Sequence, residues 1–432
     1  MKLSKFGGVC MANAEYIKKS ANIIRQNNKR KIVVVSAPGQ RNSNDIKITD
    51  RLYACYDEII KFGHCDESYK EIEKHFLDIT NAFNLTKYNN ILKNIKLEIE
   101  NSKKVDFIVS RGEFLMAQIF ADILNFEFID AGKIIKFNKN NELDEKLTFN
   151  LTKKFVSKTK KGVVIPGFYG KNPAGEIITF TRDGTDFTAS LVATACDVSV
   201  YENWKDVEGI FTGNPSIIEK PKKVSEISYS ELRKLSYLGA KVVHPSTVLP
   251  VSEKNIPIEI RSFLDSSLKG TKITNKKSSK ISIKAITAKS NLVLIYLKKE
   301  MHHDETKFLS NILDFLQEHT ISLSLFKVDI DNIYIVISSA DYFNHEKLLL
   351  NKLKSLQLKE WEVEDIALIS IVGNDICRKP RLINDIYNTL QNNYIDIKFI
   401  KLDGENSFVC VAVNNKEEKL TLTSLYEKLF SS

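Results

Sequence analysis

From the N-terminus to about Asn275 the chain repeats one pattern: a short, almost wholly apolar run that stops at glycine, serine or a charge, then a segment with helical spacing. The runs are KIVVVSAPG (Lys31 to Gly39), VDFIVSRGE (Val105 to Glu113), GVVIPGFYG (Gly162 to Gly170) and DVSVYENW (Asp197 to Trp204). Helical segments between them include Ala14 to Gln26 and Phe114 to Leu124. Strands apolar on both faces belong inside a sheet covered by helices on either side, so an α/β fold with a largely parallel sheet is predicted. In such sheets ligands bind beyond the carboxyl ends of the strands, where these glycines and polar residues fall.

The Lys-, Ser- and Thr-rich stretch Ser266 to Lys284 reads as a linker, and the pattern changes after it. NLVLIYL, ETKFLSNILDFLQEHT, ISLSLFKV, NIYIVIS and HEKLLLNKLKSL spell β-α-β-β-α, followed by a strand in IALISIV. IALISIVG, KPRLINDIYNTLQNN, YIDIKFIKL, SFVCVAV and EEKLTLTSLYEKLF repeat that order, with Ile383, Ile386, Tyr387 and Leu390 on one helical face. Two such units predict paired ferredoxin-like modules. The expected domains are residues 1–275, a linker at 276–284, and modules at 285–363 and 364–432. An RNA-recognition domain shares this order, but the aromatic strand signature that stacks bases is missing.

Composition narrows the function classes. With 432 residues, 43% of them hydrophobic, the chain can bury more than one core. Its net charge of +9 comes from scattered lysines rather than basic blocks, which fits a solvated surface and not a nucleic-acid track. The six cysteines form no C-x-x-C pair, pointing to reduced thiols and a cytoplasmic setting, with no zinc knuckle. MKLSKFGGVC is too polar for a signal peptide, and no apolar run reaches the roughly 18 residues of a membrane span.

Candidate chemistry sits in the first part. In LSKFGGVC a strand meets Gly7 and Gly8 just after Lys5, where glycines allow backbone N–H groups near an oxyanion and an ammonium supplies a point charge. Ser36 ends a strand, Thr49 and Asp50 are placed to cap the next helix, and Glu113 is expected at a strand-to-helix turn. IITFTRDGTDFTASLVATA gathers Arg182, Asp183 and Asp186 around Gly184, Thr185 and Thr188, immediately before an apolar helix. His302, His303 and Asp304 in MHHD read as a solvated loop rather than metal ligands.

In one order the chain carries KFGG, SAPG followed by a T-D-x-L helix start, S-R-G-E, VVIPGFYG, R-x-G-T-D, YENWKDVEGIFTGNP and LSYLGAKVVHP. This set resembles the aspartate kinases of the amino-acid kinase superfamily over essentially the whole chain, and the paired modules resemble that family's ACT regulatory domains. The resemblance implies an amino-acid kinase fold followed by two ferredoxin-like ACT domains. It implies phosphorylation of the β-carboxylate of L-aspartate by ATP with Mg²⁺, no metal bound by the protein itself, and a homodimer or dimer of dimers with an amino-acid effector at the ACT pair. Lys5 and Asp186 would be catalytic, and Ser36, Thr49, Glu113, Arg182 and Thr185 would serve the substrate. Arg182 would grip its α-carboxylate and Glu113 its α-ammonium. Lys5 again, Gly7, Gly8, Gly184, Trp204, Lys205, Asp206, Phe211 and Lys241 would hold ATP and its phosphates.

The resemblance has gaps. Val9 and Cys10 stand where the family writes hydroxyl residues, Asp183 replaces the first glycine of R-G-G-S-D, and Asn214 and Ser216 replace the charges of D-P-R. A specialised paralogue acting on another carboxylic amino acid, or a weakly active amino-acid-binding regulator, is the alternative expectation. KKEMHHDETKF and KLDGENS depart from the family's effector loops, so weakened lysine inhibition is expected.

Overall fold

Leu3, Phe6, Ile32 to Val35 and Val163 to Ile165 are fully buried, so these runs must lie in a sheet covered on both faces. The computed structural model, which describes all residues except 182, 241–242, 244, 277–281, 299–304, 357, 359 and 431–432, contains that sheet. Its eight strands are β1 (Lys2–Phe6), β2 (Arg30–Val35), β3 (Glu127–Phe128), β4 (Val163–Pro166), β5 (Val200–Lys205), β6 (Glu226–Ser228), β7 (Ile258–Ser262) and β8 (Thr271–Thr274). They lie in the order β6-β8-β7-β5-β1-β2-β4-β3, all neighbours parallel except β7 with β8. The helices that matter most to the site are α1 (Ala14–Arg25), α2 (Ile48–Phe62), α3 (Val105–Leu124) and α4 (Gly184–Ala195).

Three local expectations change. Val105 to Glu113 is not a strand but the opening of α3. A short apolar run reads alike for a buried strand and a buried helix, and here the apolar residues continue for five turns, with Ile108, Val109, Met116, Ile119 and Phe120 fully buried. Thr49 and Asp50 lie within the first turn of α2, and Lys47 holds the cap position without a side-chain hydrogen bond. Within the stretch expected as a linker, Thr271 to Thr274 is a sheet strand whose Thr271 and Ile273 are buried and Lys272 exposed, the period-two alternation of a half-buried strand.

The chain divides into two units. Residues 1–210, 223–233 and 242–277 make the first, and 211–222, 234–241 and 278–432 the second. The second unit holds a six-stranded sheet of β9 (Ser282–Lys298), β10 (Leu323–Val328), β11 (Asn332–Ser338), β12 (Glu360–Asn374), β13 (Ile397–Leu402) and β14 (Phe408–Asn414), ordered β10-β11-β9-β12-β14-β13. Helices α5 (Glu305–Glu318) and α6 (Ser339–Ser355) cover one half, α7 (Pro380–Asn392) and α8 (Glu418–Phe430) the other.

These are two ferredoxin-like modules, but the chain divides them differently from the simple succession 285–363 and 364–432. Leu292 to Lys298 pairs with β11 and with the start of β12, completing the first module. Ser282 to Lys289 pairs instead with the far end of β12, Leu368 to Asn374, and so supplies the fourth strand of the second module. The boundary between modules thus runs through two continuous strands. Leu292, Leu294, Leu325, Val336, Leu368 and Phe399 form a further buried cluster that joins the two halves of the sheet, and Tyr334 on β11 meets Phe399 on β13 at 5.4 Å. On α7 the buried row is Leu382, Ile386 and Leu390; Tyr387, expected on that face, is 48% exposed. Among the described residues no helix is long and apolar enough to cross a membrane, and all six cysteines are free.

Beneath the first sheet, strand alternation turns Ser4 and Glu202 to one face. Glu202, fully buried, accepts hydrogen bonds from Arg30 Nε (2.7 Å), Arg30 Nη2 (3.2 Å), Lys2 Nζ (2.8 Å), Ser4 Oγ (2.9 Å) and Trp204 Nε1 (3.3 Å). Burial pushes its carboxyl up, but the two cations and their hydrogen bonds more than offset this and hold it below its ordinary value. One side chain therefore ties β5 to β1 and β2. Glu202→Gln, which strands the Arg30 guanidinium, is expected to lower stability by about 3–5 kcal/mol. Urea unfolding followed by tryptophan fluorescence measures this, and a loss below about 1 kcal/mol contradicts it.

Candidate functional site

The site begins where β1 and β2 end. Beyond β1, Gly8 to Met11 forms a single tight turn, and beyond β2 comes Ser36 to Gly39. The two loops touch backbone to backbone, with Gly39 N donating to Gly8 O at 2.8 Å. A Cβ on Gly39 would lie 2.7 Å from the Gly8 carbonyl carbon, so only glycine permits this approach. A Cβ on Gly7 would lie 3.7 Å from Lys5 Nζ, which places the ammonium beside the first loop. Cys10 is buried, donates from Sγ to Trp204 O at 3.4 Å, and has its thiol pushed up to about 12 chiefly by burial. It is a small core residue here; Val9 beside it is 39% exposed.

Helix α4 delivers the carboxylate. Asp183 occupies its cap position in the left-handed region at φ 46°, ψ 32°, taking the conformation for which a glycine is the usual choice. Thr188 Oγ1 accepts from Phe168 N and donates to Gly184 O, locking the first turn. Thr185 and Asp186 are buried on that turn. Asp186 Oδ1 lies 2.8 Å from Lys5 Nζ, accepts from Asn203 Nδ2 at 2.8 Å and from Tyr201 Oη at 3.3 Å, while Lys205 Nζ is 4.0 Å from Oδ2. Both members of the Lys5–Asp186 pair are only 6% exposed. Burial alone would raise the Asp186 carboxyl; the charges of Lys5 and Lys205, with hydrogen bonds from Lys5 and Asn203, hold it at about 2. Asp186 is therefore an anion throughout the neutral range.

A second carboxylate has the opposite character. Glu113 is buried in α3, next to Gly112, whose missing Cβ lets the helix sit against Ala37, Ile48 and Leu52. It accepts from the backbone N–H of Ala37, but its Oε2 has no partner. Burial pushes its carboxyl up to about 7, against the pull of the backbone N–H groups of Ala37 and of Glu113 itself and of the Arg111 charge. Arg111 itself is caged by the rings of Phe107 and Phe114, each 4.4 Å away. A buried carboxylate with one free oxygen beside the end of β2 is suited to a cationic ligand group.

The structure thus brings Lys5, Gly7, Gly8, Gly184, Thr185, Asp186 and Lys205 to one edge of the sheet, with half-buried Ser36 at the neighbouring strand end, buried Glu113 within α3 and half-buried Thr49 in the first turn of α2. Arg182 and Lys241, and also His302, His303 and Asp304, lie outside the described residues. Trp204, expected at the nucleotide, has its ring in the core: it is fully buried, stacks on Phe6 at 6.2 Å and lies between Arg30 and Arg261 at 5.1 and 4.8 Å. Period-two alternation turns it away from Lys205. Asp206 is exposed, and Phe211 belongs to the second unit. There too, Asn214 Oδ1 accepts from Ser216 N and Oγ, so these two substitutes satisfy each other. Tyr201 and Asn203 were not among the expected site residues; their position four and two residues before Lys205 on one face of β5 is the signal that could have found them.

With this geometry in place, comparisons identify the kind of protein. The sequence model of the amino acid kinase family matches residues 1–262. Aspartokinase 3 of Bacillus subtilis is 27% identical over 453 residues, covering 100% of this chain and 99% of that protein. The structure of aspartate kinase from Clostridium acetobutylicum is 32% identical, with a TM-score of 0.89, over 99% of this chain and 100% of that one. Aspartokinase III of Escherichia coli, solved with aspartate and ADP in its R-state, is 25% identical with a TM-score of 0.82 over the full length of both chains. With lysine and aspartate, in its T-state, the same enzyme gives a TM-score of 0.80. The chain belongs to the amino acid kinase family, and within it to the aspartokinases.

Proposed function

We propose that this chain transfers the γ-phosphoryl group of ATP to the β-carboxylate of L-aspartate, giving 4-phospho-L-aspartate and ADP. The observation that carries this reading is the buried Lys5–Asp186 pair at the same sheet edge as Glu113, whose free carboxylate oxygen suits an ammonium. The E. coli relative's complex with aspartate and ADP supports the choice of ligands.

The substrate carboxylate has an ordinary pKa of about 3.9 and is already ionised, so no general base is needed. The difficulty is bringing an anion to a polyanion. Lys5 offsets charge on the transferred group, Asp186 keeps that ammonium in place, and the N–H groups at the start of α4 face the phosphate oxygens. Glu113 takes the α-ammonium, and Arg182 is assigned the α-carboxylate. One β-carboxylate oxygen forms a bond to the γ-phosphorus while the bond to the bridging oxygen breaks, and ADP leaves with that electron pair. Magnesium, carried by the nucleotide, would serve to neutralise phosphate charge. Pairing of ACT sheets into a homodimer or dimer of dimers belongs to the same reading.

Incubation with Mg-ATP, hydroxylamine and a panel of carboxylic amino acids tests the reaction. Aspartate hydroxamate from wild type, and a rate at least about 100-fold lower from Lys5→Ala, is expected. Product with another acid makes the chain a specialised paralogue, and none with any acid makes it a regulator.

Glu113 sets a pH dependence. Its raised pKa means it is neutral below about 7 in the free protein, so aspartate binding is expected to weaken as pH falls through that value. Glu113→Gln should bind aspartate about 10- to 100-fold more weakly with a flatter profile, measured by KM against pH. The stability linked to Glu113 runs oppositely: it is present below the ordinary carboxyl pKa and lost as pH rises through about 7.

In the second unit, the 403–407 loop that departs from the family pattern is already occupied: Lys234 Nζ lies 3.2 Å from Asp403 and 2.6 Å from Glu405, and also contacts Ser407. Acidic groups that could meet an effector ammonium are held by a residue of the chain itself. Kinase assays with added lysine are expected to show little inhibition, and a micromolar inhibition constant would overturn this.

A further inference from the structure

Asn203 is an amide where packing alone has no use for one. It is fully buried, sits directly opposite Lys5 in the β1–β5 pairing, and spends its Nδ2 on Asp186 Oδ1 at 2.8 Å. Its Oδ1 is buried with no partner. An unsatisfied buried oxygen is destabilising, and a leucine of similar size would fill the space without it. Tyr201, two residues earlier on the same face and also buried, adds a third donor to the same Asp186 oxygen at 3.3 Å. Three donors on Oδ1 fix the rotation of the carboxylate and leave Oδ2 toward Lys205, 4.0 Å away.

We infer that Asn203 is a positioning residue for the phosphoryl transfer: its N–H fixes the Asp186 carboxylate, and its free oxygen is a second acceptor for the Lys5 ammonium as Lys5 turns to the transferred group. This rests on the kinase reading above. Among the described residues, the charged and titratable groups facing Asp186 are Lys5 from β1 and Lys205 and Tyr201 from β5.

The test compares wild type with Asn203→Leu, Asn203→Asp and Tyr201→Phe. For Asn203→Leu, kcat is expected to fall about 10- to 100-fold, with KM for aspartate within about twofold of wild type. Tyr201→Phe, which loses the longer bond, should lose less. In Asn203→Asp the new carboxyl replaces the amide donor only when the two carboxyls share a proton. Its kcat relative to wild type should therefore rise as pH falls from about 8 to about 6, a comparison from which the titration of Glu113 cancels. Unchanged kcat in Asn203→Leu, or a pH-independent ratio in folded Asn203→Asp, overturns the inference. A readout free of turnover is the carbon NMR titration of the Asp186 carboxyl, whose midpoint should move up in Asn203→Leu; an unmoved midpoint also overturns it. If the midpoint moves but wild type makes no acyl phosphate, the kinase reading falls and the positioning contact stands.

Discussion

Everything at the sheet edge depends on keeping Lys5 and Asp186 charged while nearly excluding water from both. Two isolated charges in such a place would be driven to neutrality. Here the pair is 2.8 Å apart, and Asn203, Tyr201 and Lys205 supply the donors and positive charge that water no longer does. Lys5 is on β1, Asp186 on α4, and the supporting residues on β5, so the pair is held by three rigid elements rather than by loop side chains. In the proposed transfer, such an arrangement would orient an ammonium without reorganisation when phosphate charge arrives, which is where electrostatic catalysis gains most.

The same strands carry a second ionic centre on their other face. Glu202 lies one residue from Asn203 and Ser4 one residue from Lys5, so each strand sends alternate residues to two different tasks. On one face Glu202 fastens β1, β2 and β5 through Arg30 and Lys2. On the other, those fixed strands hold Lys5 against Asp186. A shift of one residue in the β1–β5 register would exchange the two faces and destroy both centres at once.

Much of this was legible in the chain. Lys5, Gly7, Gly8 and the Gly184 to Asp186 turn, which the structure gathers at one sheet edge, stood out through the ordered set of motifs rather than singly, and the repeated β-α-β-β-α order announced two modules. What escaped had physical reasons. The Val105 to Glu113 run carries no local information that separates a buried strand from a buried helix. Trp204 sits in sequence beside Lys205 and Asp206, the residues expected at the nucleotide, yet alternation sends its ring into the core. Asn203 looked like an ordinary strand residue because its importance lies in facing Lys5 across the sheet. The crossing of β9 between modules is likewise a long-range pairing, invisible to any window shorter than the module itself.

The departures from the family pattern take on meaning in this geometry. Asp183 adopts the left-handed backbone that a glycine would, so the turn before α4 keeps its course although a carboxylate is added near its N-terminus. Cys10 turns into the core and bonds to the Trp204 carbonyl, so it keeps the loop's shape while offering no hydroxyl to a phosphate. Both changes preserve backbone placement and reduce the number or favourability of side-chain contacts to an anion. In the proposed reaction, more of the work of holding phosphate would thereby be left to Lys5, the backbone donors of Gly7, Gly8 and Gly184, and the residues that keep Asp186 in place. In a site with fewer redundant donors, each remaining one carries a larger share, which is why a buried amide such as Asn203 matters here.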